Sequence, residues 1–349
     1  MAKKLHFEGE NMKELKKLNL NIQLFAAGDV VNSTNTDTLS AEMKTFYDKT
    51  LITLASPYLV HDQFGQTRDI PKNGGKQIEF RKFSALPKAL TPITEGVTPT
   101  GKKPTVTAIT AQIEQYGDYI EQTDVLELTA IDNTIVEFTK ILAAQAGLTM
   151  DTIVRNEIVG GTNVLYCPKV VDGVETTVTL RSQLDSTCLL RVKDVFKAAA
   201  ELKAMNAPKI DGYYVGIIHP YVSYDLMQEA GDQWMEVQKY TTSENMLKGE
   251  IGCLGGVRFV ESTEAKIWKD GDSPAVFGTL ILGADAYGVT KINGGGIEHI
   301  VKQKGYGNDP LNQRSSIGWK GIKTAKRLVE EYIVRIESGS TFSGTATAN

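Results

Sequence analysis

The chain has 349 residues, a formal net charge of -4, 41% hydrophobic and 23% charged residues. That length holds one elaborated domain or two ordinary ones around a sizeable core. The charge excludes recruitment to nucleic acid by bulk positive potential, and no apolar run approaches the roughly 20 residues of a membrane span.

The N-terminal "LNLNIQLFAA" (18–27) follows a basic "KELKK". Asn21 and Gln23 interrupt its apolar core, so it reads as a short amphipathic arm, with a secretion signal as the lesser reading. Residues 28–40 are polar and read as flexible. From 41 to 60, Met43, Phe46, Tyr47, Leu51 and Leu54 recur at helical spacing until Pro57.

"KQIEFRKF" (76–83) alternates Ile78 and Phe80 with charge and predicts a strand. "PTVTAITAQIEQYGDYI" (104–120) predicts its long partner. Between them lies "SALPKALTPITEGVTPTGKK", with Pro87, Pro92, Pro99, Gly96 and Gly101 and little with which to build a core. A connection of this length is usually functional or disordered. Two readings stand: an arm that projects and needs a surface elsewhere, or a floppy surface loop.

A helical stripe runs over 124–160 through Ile131, Ile135, Phe138, Ile141, Leu142, Leu148, Ile153 and Ile158. Gly147 interrupts it at modest cost. A helix near 30 residues would be on the order of 45 Å long. "VVDGVETTVTL" (170–180) predicts a hairpin with an Asp-Gly turn. "RVKDVFKAAAELKAMN" (191–206) predicts an amphipathic helix ending before Pro208. "YYVGII" is a continuous apolar run, hence a strand covered on both faces. Pro220 then suits the first helical position and His219 the N-cap. A helical stretch near "QWMEVQKY" follows. Strands are predicted at 256–262, 275–283, 287–292, 298–303 and 328–338, and the polar tail 339–349 is expected to fray. The irregular alternation favours an α+β arrangement over a doubly wound sheet.

Chemistry-bearing motifs are scarce. His6, His61, His219 and His299 stand at no ligand spacing from one another. Cys167, Cys188 and Cys253 are odd in number and far apart, which fits a reduced, cytosolic compartment. "NGGGIEH" (293–299) lacks the third glycine of a dinucleotide fingerprint and reads as a turn. Asp118, Glu121 and Asp124 read as a solvated strand edge. "NDPLNQRSSIGWK" (308–320) reads as a loop whose Arg314 clamps a carboxylate or a carbonyl, with phosphate binding as the rival reading. No catalytic, cofactor-binding or metal-ligating set emerges; an enzyme using His219, Glu298 or Arg314 in a cleft remains the competing class.

Several segments together resemble the tailed-bacteriophage major capsid proteins, most closely the N-four-type coat family. They are "FRKFSALPKALTPITEGVTP", "YGDYIEQTDVLEL" with the helix after it, "GYYVGIIHPYVSYDL", "GEIGCLGGVRFVES", "LILGADAYGVTKI", "DPLNQRSSIGWKGIKTAKRL" and a final strand ending "IVRIES". Their order and spacing cover roughly residues 20 to 338.

The resemblance implies a Hong Kong 97-type capsid fold. It assigns 1–60 to an N-terminal arm and first helix, and 61–122 to an extended β-hairpin arm and its base. A peripheral domain with a long spine helix takes 123–208, and an axial domain takes 209–283. Return strands take 284–338, and 339–349 is a flexible tail. Function would be self-assembly into hexamers and pentamers of an icosahedral virion shell around double-stranded DNA, held non-specifically, in the bacterial host cytoplasm. No membrane and no cofactor is implied, and the use of scaffold, portal and decoration proteins is left open. Arg81, Lys82, Lys88, Lys102 and Lys103 are the expected intersubunit contacts, meeting acidic surface on a neighbour. An encapsulin-like nanocompartment shell is the alternative with the same fold.

Overall fold

The longest apolar runs of the sequence become the middle of one sheet. The computed structural model describes residues 51–349 apart from 52–53, 56–57, 70–75, 84–85, 94, 99, 130–133, 237–246, 248, 292–296 and 308. The expected arm at 18–27, the polar stretch 28–40 and most of the 41–60 helix therefore lie outside the described residues. So do most of the glycine turn near 293 and the second half of "QWMEVQKY".

In chain order the elements are β1 (Gln66–Arg68), β2 (Gln77–Phe83), β3 (Val106–Gln112), β4 (Glu114–Thr123), α1 (Asp124–Thr129) and α2 (Thr134–Val159). Then come β5 (Val164–Tyr166), β6 (Lys169–Val171), β7 (Val174–Thr176), α3 (Val192–Ala204), β8 (Tyr214–Ile218) and α4 (Pro220–Ala230). The rest is β9 (Glu250–Leu254), β10 (Val257–Glu261), β11 (Ile267–Trp268), β12 (Val276–Leu282), β13 (Tyr287–Thr290), β14 (Ile297–Lys302), β15 (Arg314–Lys323), β16 (Ala325–Arg327) and β17 (Ile333–Ser338).

A seven-stranded sheet runs β5-β17-β12-β8-β10-β9, with β11 on the end of β12. Every residue of β8, β12 and β17 is buried, as expected for strands covered on both faces. Alternate residues go to different layers. Tyr214 and Ile218 of β8 join Phe277, Ile281 and Ile336 under α3 and α4. Val215 and Ile217 face the other way, with Leu280, Leu282 and the C-terminal end of α2, Val154 and Ile158. Gly216 leaves room for the Phe259 ring, which would lie 2.7 Å from an added Cβ. The Asp172–Gly173 turn between β6 and β7 has both residues at positive φ, the geometry of a type I′ hairpin.

A second sheet, β14-β15-β4, packs on the first half of α2. Leu142, Ala143, Ala146 and Met150 meet Ile297, Ile317 and Trp319 there. Gly147 interrupts nothing: the helix continues, and an added Cβ would sit 2.7 Å from the Ala55 carbonyl oxygen. The glycine thus lets the preceding helical segment, with Leu51 and Ala55 buried, cross α2 closely. Where these layers meet, two polar contacts are sealed in. His61 and Asp151 are fully buried, Nδ1 to Oδ2 being 2.7 Å. The buried Lys323 ammonium contacts Asp62 and the Thr290 carbonyl; burial lowers its pKa against the opposing effect of Asp62.

Several expectations need correction. The long strand over 104–120 changes partner at Ile113: β3 pairs with β2, whereas β4 pairs with β15. Of the predicted 30-residue helix, the described residues form α1 and the 26-residue α2, on either side of 130–133. The stretch 308–320 is not a loop throughout, because Arg314–Lys323 forms a ten-residue strand. Trp234–Glu236 are not helical; Met235 bridges to Cys253. The last strand begins at Ile333, after a 3-10 turn at Glu330–Tyr332. The tail does not fray. Ser340 and Thr341 bind the Asp225 carboxylate at 2.6–3.0 Å, and Phe342 stacks on Tyr221 at 4.6 Å. Its hydroxyls, which make the segment look solvated in sequence, are hydrogen-bonding partners for a buried acid.

Candidate interaction surface

The hairpin β2-β3 is fixed to the body at one end only. Phe80 is fully buried, and its ring lies where a Cβ on Gly288 would stand 2.3 Å away. Ile78 and Ala111 are buried beside it, with Ile109, Ile113 and Leu328 against them. The Ile113 amide closes the base on the Lys76 carbonyl at 2.9 Å. Beyond this joint, every described residue from 86 to 108 is exposed. Leu90 is 83% exposed and Ile93 76%, and Leu86 and Val97 are more than half exposed. Gly96 takes φ +77° with open space around it. Four large apolar side chains thus stand exposed on a segment with no core beneath them.

The five expected contact cations are spread along this hairpin rather than gathered. Arg81 faces away from the body and is tied to Glu79 at 2.9 Å within its own strand. Lys82 is half-buried, and Lys88, Lys102 and Lys103 are exposed on the loop. Reading the sequence for charge alone missed Leu86, Leu90, Ile93 and Val97. The signal available was isolated apolar residues between prolines, where no core exists to receive them.

A second exposed surface lies at the far end of the same ribbon. β4 is an outer strand of its sheet, with Tyr119 exposed. The α1 residues Val125 and Leu128 are exposed too, Leu128 by 88%. The three acids read as one strand edge have separate settings. Asp118 accepts from Gln145 at 2.6 Å, which lowers its pKa together with the Tyr119 amide. Glu121 is exposed, and Asp124 starts α1 by accepting from the Val125 amide.

The groups of the competing enzyme reading are not brought together. His219 caps α4, its Nδ1 accepting from the Tyr221 amide at 3.2 Å. Its ring packs on Phe277 and Tyr221, and burial lowers its pKa to about 4, so the imidazole is neutral at pH 7. Arg314 and Glu298 lie on the other sheet: Arg314 is exposed at the start of β15, and Glu298 of β14 pairs with Lys320 at 3.0 Å. A cleft of about 590 Å³ between β3, β4 and α2 contains Glu114 and Tyr116. The Tyr116 hydroxyl donates to Glu114 at 2.6 Å, and burial and that carboxylate push its pKa up to about 12. Among the described residues no three His, Cys, Asp or Glu side chains are placed to share a metal ion, and no helix is long and apolar enough to cross a membrane.

The architecture has counterparts among solved structures. The capsid of Ralstonia phage GP4 matches with a TM-score of 0.64 at 13% identity, over 80% of this chain and 88% of that one. The cyanophage Pam1 capsid matches at 0.58 and 12%, over 92% and 99%, and the capsid of cyanophage P-SCSP1u at 0.57 and 13%, over 96% and 100%. At such identities the likeness is one of fold, and the fold is the Hong Kong 97-type capsid fold. No curated protein sequence matches the chain. The family model described as phage capsid protein matches residues 121–309, more than half of the sequence, from the end of β4 through every strand of the seven-stranded sheet but β17 to the β14-β15 connection. The chain therefore belongs to the phage capsid protein family, and it is a structural protein of the virion shell.

Proposed function

We propose that the chain is the major capsid protein of a tailed bacteriophage or prophage of the N-four type, assembling in the host cytoplasm as hexamers and pentamers of an icosahedral shell. The observation that carries this reading is the hairpin: anchored by Phe80 at its base and exposed throughout its outer part, in a chain of the capsid family. A subunit held by several neighbours gains effective concentration at each site, so individually weak contacts close a stable shell. The net charge of -4 suits a container that must release its DNA, since a strongly basic lining would retain it.

In this reading residues 61–122 supply the arm and its base, 123–208 the peripheral domain with α2 as spine, 209–283 the axial domain and 284–338 the return strands. Lys88, Lys102 and Lys103 meet acidic surface on a neighbour, with Arg81 and Lys82 nearer the base. Double-stranded DNA is enclosed without sequence recognition. In this reading the chain's role is structural, and His219, Glu298 and Arg314 stand apart from one another.

Expression of the chain and negative-stain imaging tests this. Closed shells that protect DNA support it. Shells filled with a cargo enzyme favour the nanocompartment alternative, and a stable monomer with a ligand-filled cleft contradicts both. Replacing Lys88, Lys102 and Lys103 by Ala should make assembly less sensitive to salt, because exposed charge contacts are screened over about 10 Å at 0.1 M.

A further inference from the structure

We propose that the solvent face of α3 is the surface this chain turns to the enclosed double-stranded DNA, with Lys197 and Lys203 on the helix and Lys209 just beyond it as contacts to the phosphate backbone. This rests on the capsid reading above and names the surface that the enclosed polyanion touches.

The charge balance of the body leads to it. The chain as a whole is acidic, at -4, and most of its lysines are neutralised in place. Every other lysine described from 114 to 349 lies against a carboxylate, a main-chain oxygen or, for Lys302, a tyrosine ring. Lys197, Lys203 and Lys209 are exposed and form no ion pair among the described residues. Lys209 has only the Tyr214 ring, whose centre is 5.8 Å from its ammonium. Three unneutralised cations thus fall together on 197–209, in a body where such cations are otherwise rare.

Helical geometry gathers them. The side of α3 that carries Val195, Ala198, Ala199 and Leu202 is buried in the core under the sheet. Lys197, Ala200, Lys203 and Ala204 recur at three- and four-residue spacing on the other side, and all four are exposed. The carboxylates of the helix stand aside, Asp194 buried and Glu201 half-buried. At the start of the helix Arg191 and Lys193 are held by Glu175. Phe196 is half exposed, but its ring packs on the turn at Gly255, where an added Cβ would meet it at 3.2 Å.

The spacing suits a polyanion. Ala200 and Ala204 are small, so a phosphate backbone approaches the helix closely, whereas a protein partner finds little side-chain area between the lysines. Lys197 and Lys203 are about 9 Å apart along the helix at 1.5 Å per residue, and DNA carries one charge about every 1.7 Å of its axis. Each ammonium is a point charge on a flexible stem and finds a phosphate without a fixed register, which fits DNA of any sequence. A few such contacts per copy hold DNA against the shell and still dissociate with salt, as a container that must release its contents requires.

The test titrates the full-length subunit with a duplex of about 20 base pairs, followed by fluorescence anisotropy from roughly 20 to 200 mM salt, where log K falls with log salt by about 0.9 per phosphate contact. Replacing Lys197, Lys203 and Lys209 together by Gln should leave the circular dichroism melt unchanged and reduce that slope by about 2.7. The difference reads only the substituted lysines, because those of the arm are common to both chains. A matched set, Lys140→Gln, Lys320→Gln and Lys326→Gln, removes the same net charge from lysines paired with Glu137, Glu298 and Glu157 and should leave the slope as it is. In closed shells the three α3 lysines should escape an amine-reactive label coupled to a dextran too large to enter, and should react with it in the free subunit. Equal slopes in the wild type and the α3 variant, equal losses from both sets, or labelling of these lysines in intact shells would overturn the inference. So would binding of polyglutamate but not of the duplex, which would assign the face to an acidic protein segment. Loss of shells by the α3 variant with DNA binding intact would assign it to a contact between copies and overturn the inference too. Negative-stain imaging of the wild type separates the two failures: shells without the slope difference leave the capsid reading standing, and a wild-type chain that forms no shells removes that reading and this inference with it.

Discussion

The seven-stranded sheet and the hairpin arm are both β-structure, yet they hold their apolar residues in opposite ways. In β8, β12 and β17 every side chain is buried; from 86 to 108 every described residue is exposed. The sheet satisfies itself within one chain, and its hydrophobic area stabilises the subunit. The apolar residues of the arm bury little in the lone subunit, and in the proposed reading they acquire their stabilising contacts on association. In the reading proposed above, one polypeptide separates folding from assembly: the sheet governs the first and the arm the second.

Substitutions should divide along that line. Phe277→Ala empties a site under α3 and α4 and should cost about 3–5 kcal/mol of subunit stability, read as a lowered urea midpoint, with shells lost because the subunit unfolds. Leu90→Ala with Ile93→Ala should change subunit stability by less than about 0.5 kcal/mol while shell yield falls. Equal effects of both sets on the urea midpoint would erase the distinction.

A pH titration sharpens it. His219 is buried and its pKa is lowered to about 4, against about 6.5 in an unfolded chain. Between these values the unfolded state binds the extra proton, so subunit stability falls as pH drops from about 6.5 to 4 and levels below. The contribution is on the order of 3 kcal/mol. His219→Asn keeps a capping side chain and should flatten the profile in that window. An unchanged slope would place the acid sensitivity elsewhere.

A further effect is expected where the two regions join. Gly288→Ala pushes a methyl group against the Phe80 ring and should cost about 1–3 kcal/mol by overpacking. It should also loosen the hairpin, seen as faster hydrogen exchange at Ile78–Arg81 than in β8. Unaltered exchange in the hairpin would mean that Phe80 does not fix the arm.

What could be read in the sequence follows from how local each signal is. The His219-Pro220 helix start, the Asp172–Gly173 turn and the apolar run of β8 depend on a few neighbouring residues, and the structure has all three. β15 was hidden because the polar stretch 308–320 reads as loop. Gly318 is there because an added Cβ would meet that of Tyr119 at 2.8 Å across the ladder, a contact nearly 200 positions away in sequence. The partner change at Ile113 is equally non-local: nothing in "VTAITAQIEQYGDYI" says that its two halves pair with β2 and β15. The unsupported character of the arm was visible in its prolines and glycines. The surface at Tyr119–Leu128 needed the burial of everything around it to be known.

The separation of folding from assembly is tested most directly by deleting residues 85–102 and closing the hairpin with a short turn. Subunit melting and negative-stain imaging would then be compared with the intact chain. The account predicts a soluble subunit whose melting temperature lies within a few degrees of wild type and which forms no shells. Normal shells from the deleted chain, or a subunit that no longer folds, would contradict it.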